Sequence, residues 1–479
     1  MTQSHVLTDP LADLATLTNR SEARKRQVRG HVSRDARFAG TGGLRYSGVI
    51  DAYHGETGRA PDAHAVAALD RAWRESLHIA PSAEYLDGKL YDKRQPLILR
   101  ELAARKLFER LSHPVEGVPG VRVRAEEVIV CPYSSTMLLE EAVASLARPG
   151  GVIVCPEGFY KSSSIHVEKF GLRIVSCPVA PDDAFKIDPA RLARCLDELR
   201  ATGELCGVLL TLPGNPVVAD YTAAELTEIG RVLLDGGVPV ICDMAFDRLV
   251  ASHIPIAALH VQTEQGIRRL YDVVLTITGN SKGYNAFGPC KMGAACTGDS
   301  AWLERIRERL TISFQRETTH LARAILEHTP EDYFDRNHAL MRAQIERACG
   351  HIAAINTRLG ADVLRPLGNP EGMFVSVVFD RVLLDAAGVR TSAQVEDLLL
   401  AVSGVDSVAL DRTGSLRPGV RLNVLAPRKA PRQESPALLE ELFDRLEQLI
   451  RDIAGGLTYR GALADRGLTA LVAESTVTR

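Results

Sequence analysis

Six short apolar runs limit what this chain can fold into. They lie at 128–131, 151–155, 173–177, 206–211, 238–242 and 273–276, and they are apolar at successive positions. A strand of that kind is stable only when both of its faces are covered. Helical patterns at 137–146, 189–199 and 223–234 lie between most of the runs, and two more, 63–77 and 96–110, precede them. In these the apolar residues recur three and four apart. Strands buried on both sides and separated by helices predict an α/β fold with a sheet sandwiched between helical layers. After about residue 311 the pattern changes. A helical stretch over 312–359, interrupted near Pro330, leads into a strand at 373–379, a helix at 392–403, a strand at 420–425 and a helix at 436–454. This predicts a second, smaller α+β lobe. The segment 44–79 is expected to pack on one lobe or to bridge both.

Composition narrows the function classes. The chain has 479 residues, 46% hydrophobic and 24% charged, with 57 basic against 60 acidic side chains. That is enough apolar material for two or three compact units, and too much for a disordered chain. A net charge of −3 makes no electrostatic case for nucleic acid or an anionic membrane. The first residues lack a basic start followed by an apolar run, and no stretch reaches the roughly 18–20 apolar residues of a spanning helix. The expected location is the cytoplasm. Nine cysteines are scattered without a CxxC pair, so buried free thiols are expected rather than disulfides or a zinc site. Residues 1–40 are polar and Arg-rich: a helical arm, an oligomer contact or a partly disordered leader.

Four local features carry chemistry. Leu212-Pro213-Gly214-Asn215-Pro216 directly follows a strand, where it could be a simple turn or could aim an amide over the sheet edge. Asp243 ends the next strand, where open α/β sheets bind ligands, although it could equally cap a helix. Ser281-Lys282-Gly283-Tyr284 follows the last run in a loop of small residues. The chain has ten lysines against forty-seven arginines, so a lysine here is not its default cation. A partly neutral lysine amine can form a Schiff base; a surface lysine is the plain alternative. Tyr133-Ser134-Ser135-Thr136 precedes a helix, as an N-cap or as a phosphate loop.

In that order (phosphate loop, aromatic pair Phe159-Tyr160, Asn215, Asp243, Lys282) the chain resembles the class I/II aminotransferases, over roughly residues 46–455. These are fold-type I enzymes of pyridoxal 5′-phosphate (PLP). The resemblance implies a large domain with a mostly parallel seven-stranded sheet flanked by helices, plus a smaller α+β C-terminal domain. It divides the chain into an arm (1–45), a segment packing with the small domain (46–84), the PLP domain (85–310), the small domain (311–455) and a tail (456–479). It implies that Lys282 holds PLP as an imine and moves the Cα proton. Asp243 would pair with the ring nitrogen and Asn215 with the phenolic oxygen, while Tyr160, or its neighbour Phe159, would stack on the ring. Ser134, Ser135, Thr136, Ser281 and Lys291 would hold the phosphate. Arg421, in Val420-Arg421-Leu422-Asn423, would take the substrate carboxylate, and Gly55 would pass close to the substrate. Tyr91 would reach the phosphate of a neighbouring subunit, which implies a homodimer with shared sites.

The chain departs from the family at three positions. Phe246 stands where relatives have a tyrosine that donates to the phenolic oxygen; Phe cannot donate, which implies a more basic lysine–cofactor imine. Gly279 stands where many relatives have a phosphate-binding serine, for which Thr278 or Ser281 could substitute. Lys291 replaces an arginine and keeps the charge without the planar fork. Transamination between an amino acid and a 2-oxo acid is the expected reaction. The alternative is β/γ-elimination, replacement or cyclisation, as in the 1-aminocyclopropane-1-carboxylate synthase branch, which acts on S-adenosylmethionine. A PLP-binding regulator is the third option, but only about 40 residues precede the resemblance, too few for the usual DNA-binding unit. Tyr46, Tyr53, Tyr284 and Asn285 could line the substrate pocket or merely pack.

Overall fold

Alternation along the six runs builds a sheet with two apolar faces. The computed structural model describes residues 14–35, 48–78, 94–112, 117–429 and 436–470. Helix α1 (Leu14–Val32), the two-residue strand β1 (Ile50–Asp51), α2 (Ala63–His78) and α3 (Leu97–Leu102) come first. The predicted helix at 96–110 is therefore not continuous: α3 runs into a π-turn at Ala103–Leu107 and a further turn at Glu109–Ser112. The α/β succession follows: β2 (Val128–Pro132), α4 (Ser135–Leu146), β3 (Val152–Pro156), α5 (Ser163–Glu168), β4 (Arg173–Cys177), α6 (Pro189–Ala201), β5 (Leu205–Thr211), α7 (Ala223–Gly236) and β6 (Val240–Asp243). A small hairpin, β7 (His260–Thr263) and β8 (Gly266–Arg269), precedes β9 (Val274–Gly279) and β10 (Met292–Cys296).

Seven of these strands form one sheet in the order β2-β10-β9-β6-β5-β3-β4. Strand β10 runs antiparallel to both of its neighbours, and the other pairings are parallel. The sheet is thus the mostly parallel seven-stranded one expected. Its seventh strand, β10, had no signal of its own, because Met-Gly-Ala-Ala-Cys has no β-branched residue. Successive residues enter opposite layers: Val128, Val130, Val152, Val154 and Val208 face one core, while Ile129, Cys131, Ile153, Cys155 and Leu209 face the other. Full burial of such a side chain is worth roughly 1.5–3 kcal/mol, so covering both faces fixes the helical layers. Helix α6 is capped by Asp188, and α7 carries a Thr222/Glu225 capping box.

The chain continues through α8 (Ser300–Arg309), α9 (Arg316–His328) and α10 (Glu331–Leu359), with the break at Pro330. Next come β11 (Leu364–Pro366), β12 (Phe374–Phe379), α11 (Arg381–Ala386), α12 (Ser392–Ser403), β13 (Val405–Asp406), β14 (Val408–Ala409), β15 (Gly419–Asn423), β16 (Arg428–Lys429), α13 (Pro436–Ala454) and α14 (Tyr459–Ala464). An antiparallel sheet, β11-β12-β15-β14, and a second one, β13-β1-β16, complete a C-terminal lobe. Its core also takes Val28 and Val32 from α1, Ile50 from β1, and Tyr459 and Leu463 from α14. Helix α9 instead packs with the large-sheet core. All nine cysteines are free thiols, and only Cys349 is not fully buried. Among the described residues no helix is long and apolar enough to cross a membrane.

Candidate active site

The C-terminal ends of β2, β3, β5, β6 and β9 lie on one edge of the large sheet, because all five run parallel. The residues singled out in the sequence follow those ends. Asp243 is the last residue of β6. Solvent reaches it from the cleft, yet protein surrounds it. That burial pushes its carboxyl up to about 6, against the pull of the Ala245 amide it accepts from at 2.9 Å and of His166 and Lys282.

Lys282 follows β9. Burial lowers the pKa of its ammonium; Glu56 opposes this, and Lys291 and Arg421 add to it. Its Nζ donates to the Gly55 carbonyl and lies 5.9 Å from the Phe246 ring centroid. Phe246 packs with Leu249, Met341, Met373 and Phe374, so an apolar wall stands beside the amine where a hydroxyl was the family expectation. Asn280 is fully buried and staples the following loop: its Nδ2 donates to the Cys290 carbonyl at 2.8 Å, and its Oδ1 accepts from the Met292 amide at 2.9 Å. That staple positions Lys291 at the start of β10.

The phosphate loop is set by β10. The Lys291 carbonyl accepts from the Tyr133 amide at 3.1 Å. A Cβ on Gly293 would lie 2.7 Å from the backbone of Ser134 and Ser135, so only glycine lets β10 pass under the start of α4. Ser134 is the N-cap of α4, but its side chain makes no capping bond. The first-turn amides and the hydroxyls of Ser134, Ser135 and Thr136 thus form a helix N-terminus open to an anion. Gly279 has its own reason: a Cβ there would lie 2.7 Å from the Met292 carbonyl. Thr278 is buried and donates to the Met244 carbonyl at 3.2 Å, so that hydroxyl is already engaged. Ser281, beside Lys282, remains half-buried.

Arg421, on β15 of the C-terminal lobe, is buried. Its Nη1 donates to Asn215 Oδ1 at 2.7 Å and its Nη2 to the Tyr53 carbonyl, and its guanidinium stacks 3.9 Å from the Phe374 ring centroid. Burial brings its pKa down to about 10, so it stays charged at neutral pH. Its Nε is buried with no partner among the described residues. Tyr160 is half-buried near Arg421, whereas Phe159 is fully buried in the core beneath the sheet. Tyr284 packs edge-on against Phe334 and donates to the Lys106 carbonyl, and Asn285 bonds Thr57 and Tyr333. Both serve packing. Tyr91 and Tyr46 lie outside the described residues.

This donor set fits PLP: an amine for the aldehyde, a buried carboxylate for a ring cation, an open helix N-terminus with a lysine for the phosphate, and a guanidinium with a spare N–H for a carboxylate. Among the described residues no cluster of His, Cys, Asp or Glu could hold a metal.

The pattern of the family "Aminotransferase class I and II" matches residues 65–417. A probable N-succinyldiaminopimelate aminotransferase of Mycobacterium tuberculosis is 29% identical over 181 residues, 37% of this chain and 42% of that protein. An aspartate aminotransferase of Geobacillus stearothermophilus is 29% identical over 143 residues, 29% of this chain and 35% of that protein. The aligned stretches thus span well under half of these relatives. The solved N-succinyldiaminopimelate aminotransferase from Mycobacterium tuberculosis superposes with a TM-score of 0.67 at 19% identity, covering 93% of this chain and 100% of that one. The aspartate aminotransferase from Rhizobium meliloti gives 0.67 at 18%, covering 94% and 99%. At such identities the structures show a shared fold. Over a match of this extent, the chain belongs to the class I and II aminotransferase family.

Proposed function

We propose that this chain is a PLP-dependent aminotransferase that moves the amino group of an α-amino acid to a 2-oxo acid. The observation that carries the reading is one juxtaposition: the Lys282 amine, with its pKa lowered by burial, lies among Asp243, Arg421 and Glu56 at the C-terminal sheet edge. When bound, PLP supplies an electron sink for the electrons released at Cα. The chain's residues do the rest. Lys282 holds the cofactor and then takes and returns the Cα proton. Asp243 keeps the ring nitrogen protonated, and Asn215 hydrogen-bonds the phenolic oxygen. Ser134, Ser135, Thr136, Ser281 and Lys291 bind the phosphate, and Tyr160 and Phe246 border the ring. Arg421 grips the substrate carboxylate with a two-pronged fork, and Gly55 lines its path.

The family membership and the aminotransferase names of the relatives support transamination over elimination or cyclisation. The same reading makes the protein a cytoplasmic homodimer completed by Tyr91 from the partner, and keeps the division 1–45, 46–84, 85–310, 311–455 and 456–479. The test is an absorbance time course of the PLP-loaded protein with an amino-acid panel and S-adenosylmethionine, without 2-oxo acid. Conversion should stop at one equivalent and resume on adding a 2-oxo acid, and Lys282→Ala should abolish it. Continued turnover without an acceptor would overturn transamination and favour elimination or ring closure.

A further inference from the structure

A strip of backbone crosses the site with its carbonyls turned toward it. The Ala52 carbonyl accepts from the Asn423 amide at 2.8 Å, and the Tyr53 carbonyl from Arg421. The His54 and Glu56 carbonyls accept from Asn423 Nδ2 at 2.6 and 2.8 Å, and the Gly55 carbonyl from Lys282. Two of these donors are the residues that the proposed function assigns to substrate and cofactor. Tyr53 and Asn215 each take one N–H from a different Nη atom of Arg421, which fixes the plane of its guanidinium over Phe374 and leaves a second N–H on each Nη.

The other end of Tyr53 is held from outside the site. Its phenol donates to Glu22 of α1 at 2.8 Å and accepts from Lys161, which Glu22 itself holds. Glu22 also accepts from Lys161 at 2.7 Å and from Arg412 at 2.9 Å. One carboxylate therefore ties together the strip, the loop next to Tyr160 and the turn at Leu410–Thr413. Arg412 is fully buried, with its other arm on Glu396. Lys25, one turn along α1 from Glu22, lies 3.6 Å over the Tyr53 ring and pairs with Asp406 and Glu396. A ring held on its face and at its hydroxyl has little freedom, and neither does the carbonyl it carries.

We propose that Glu22 is a positioning residue for substrate binding: from α1 it anchors Tyr53, whose carbonyl sets the plane of the Arg421 guanidinium. The inference rests on Arg421 being the carboxylate-binding residue. A fork already held in its binding plane loses less freedom when it takes a carboxylate, so the anchor acts on affinity rather than on the proton transfer at Lys282.

The test compares the PLP-loaded wild type with Glu22→Gln, Tyr53→Phe and the double variant. Glu22→Gln leaves Lys161 without a counter-charge and Arg412 with Glu396 alone, and could impair folding; Tyr53→Phe removes one hydroxyl only and keeps the question open in that event. The expected result is a KM for the amino donor about tenfold higher in each single variant, as the charge-assisted anchor of the Tyr53 phenol is lost, with kcat within about twofold. The double variant should lose no more than the worse single one. Amide hydrogen exchange at 52–57, measured without substrate, should quicken in both single variants. Unchanged KM and unchanged exchange in folded variants would overturn the proposal, as would additive losses in the double variant. Failure of the wild type to bind PLP would instead overturn the reading of the site, and the exchange comparison would still decide the anchor.

Discussion

Phe246 takes the place where a tyrosine hydroxyl was expected, and its surroundings explain how the chain tolerates it. The ring is packed by Phe374, Met341 and Met373, so the wall beside Lys282 is apolar and offers no donor. The lysine–cofactor linkage should therefore titrate at a higher pH than in a tyrosine-containing relative. Phe246→Tyr should lower that pKa by about one unit, the worth of one hydrogen bond, in a pH titration of the bound cofactor's absorbance. An ordinary low value in the wild type would overturn the argument. Asp243 gives a second prediction. Its folded-state pKa of about 6 lies above the usual aspartate value of roughly 3.9. The folded chain thus holds this proton more tightly than the unfolded one does. Stability from this group is gained as pH falls below 6 and lost as pH rises through 6. In the cofactor-free protein, Asp243→Asn should raise the melting temperature relative to wild type at pH 8 more than at pH 5, by a degree or so. Adding PLP to the wild type should flatten that difference, because a ring cation favours the carboxylate. Lys282, Asp243 and Asn215 stood out in the sequence because each lies at or just after a strand end. Phe374 and the carbonyls of 52–56 were not: backbone acceptors carry no sequence signal, and an aromatic ring in an apolar strand reads as core.

At the scale of elements, the site depends on how closely β10 passes beneath α4. Six strands of the large sheet could be read from apolar runs, with helical patterns in three of the gaps between them, because burial on both faces leaves an uninterrupted pattern. Strand β10 could not, since the close approach that makes it useful demands small residues, which look like a loop. The two-residue strands β1, β13, β14 and β16 are too short for any periodicity. Gly293 tests the coupling of strand to helix. In Gly293→Ala the new methyl would meet the backbone of Ser134 and Ser135 at 2.7 Å, with no flexible side chain to yield. The start of α4 must move, which should cost about 1–3 kcal/mol of stability. It should also weaken PLP affinity about tenfold or more, because the shifted amides are those proposed to hold the phosphate. Cofactor titration by fluorescence reads the affinity, and thermal unfolding of the cofactor-free protein reads the stability. A stability loss with unchanged affinity would separate α4 from the phosphate site.

At the scale of the whole molecule, α1 belongs to the C-terminal lobe despite the distance along the chain. Arg24 pairs with Asp397 at 3.3 Å, Lys25 with Asp406 at 2.5 Å, and Arg29 with Asp406 at 2.7 Å. Asp397 and Asp406 are buried and Asp411 half-buried, and desolvation raises the pKa of each: Asp397 to about 6, against the pull of Arg24, and Asp406 against that of Lys25. The Arg-rich start of the sequence left a helical arm, an oligomer contact and a partly disordered leader all open, because the matching carboxylates lie more than 350 residues away. Deleting residues 1–33 would strip those cations and leave buried carboxylates unpaired, at about 3–5 kcal/mol for each broken pair. It would also remove Val28 and Val32 from the lobe's core. Calorimetry should show a large loss of stability at pH 8. The sign of the pH response follows from the same groups. Without α1 the folded-state pKa values of Asp397 and Asp406 must rise further, since Asp397 loses Arg24 and keeps only Tyr459 and Arg412, while Asp406 loses Lys25 and Arg29. The truncated chain should then regain stability as pH falls from 8 toward 5, where the carboxylates bind protons in the folded state. The intact chain should gain less over that range, because α1 already neutralises the same carboxylates with fixed positive charge. Equal pH responses in the two proteins would show that the buried carboxylates do not depend on α1 for their neutralisation.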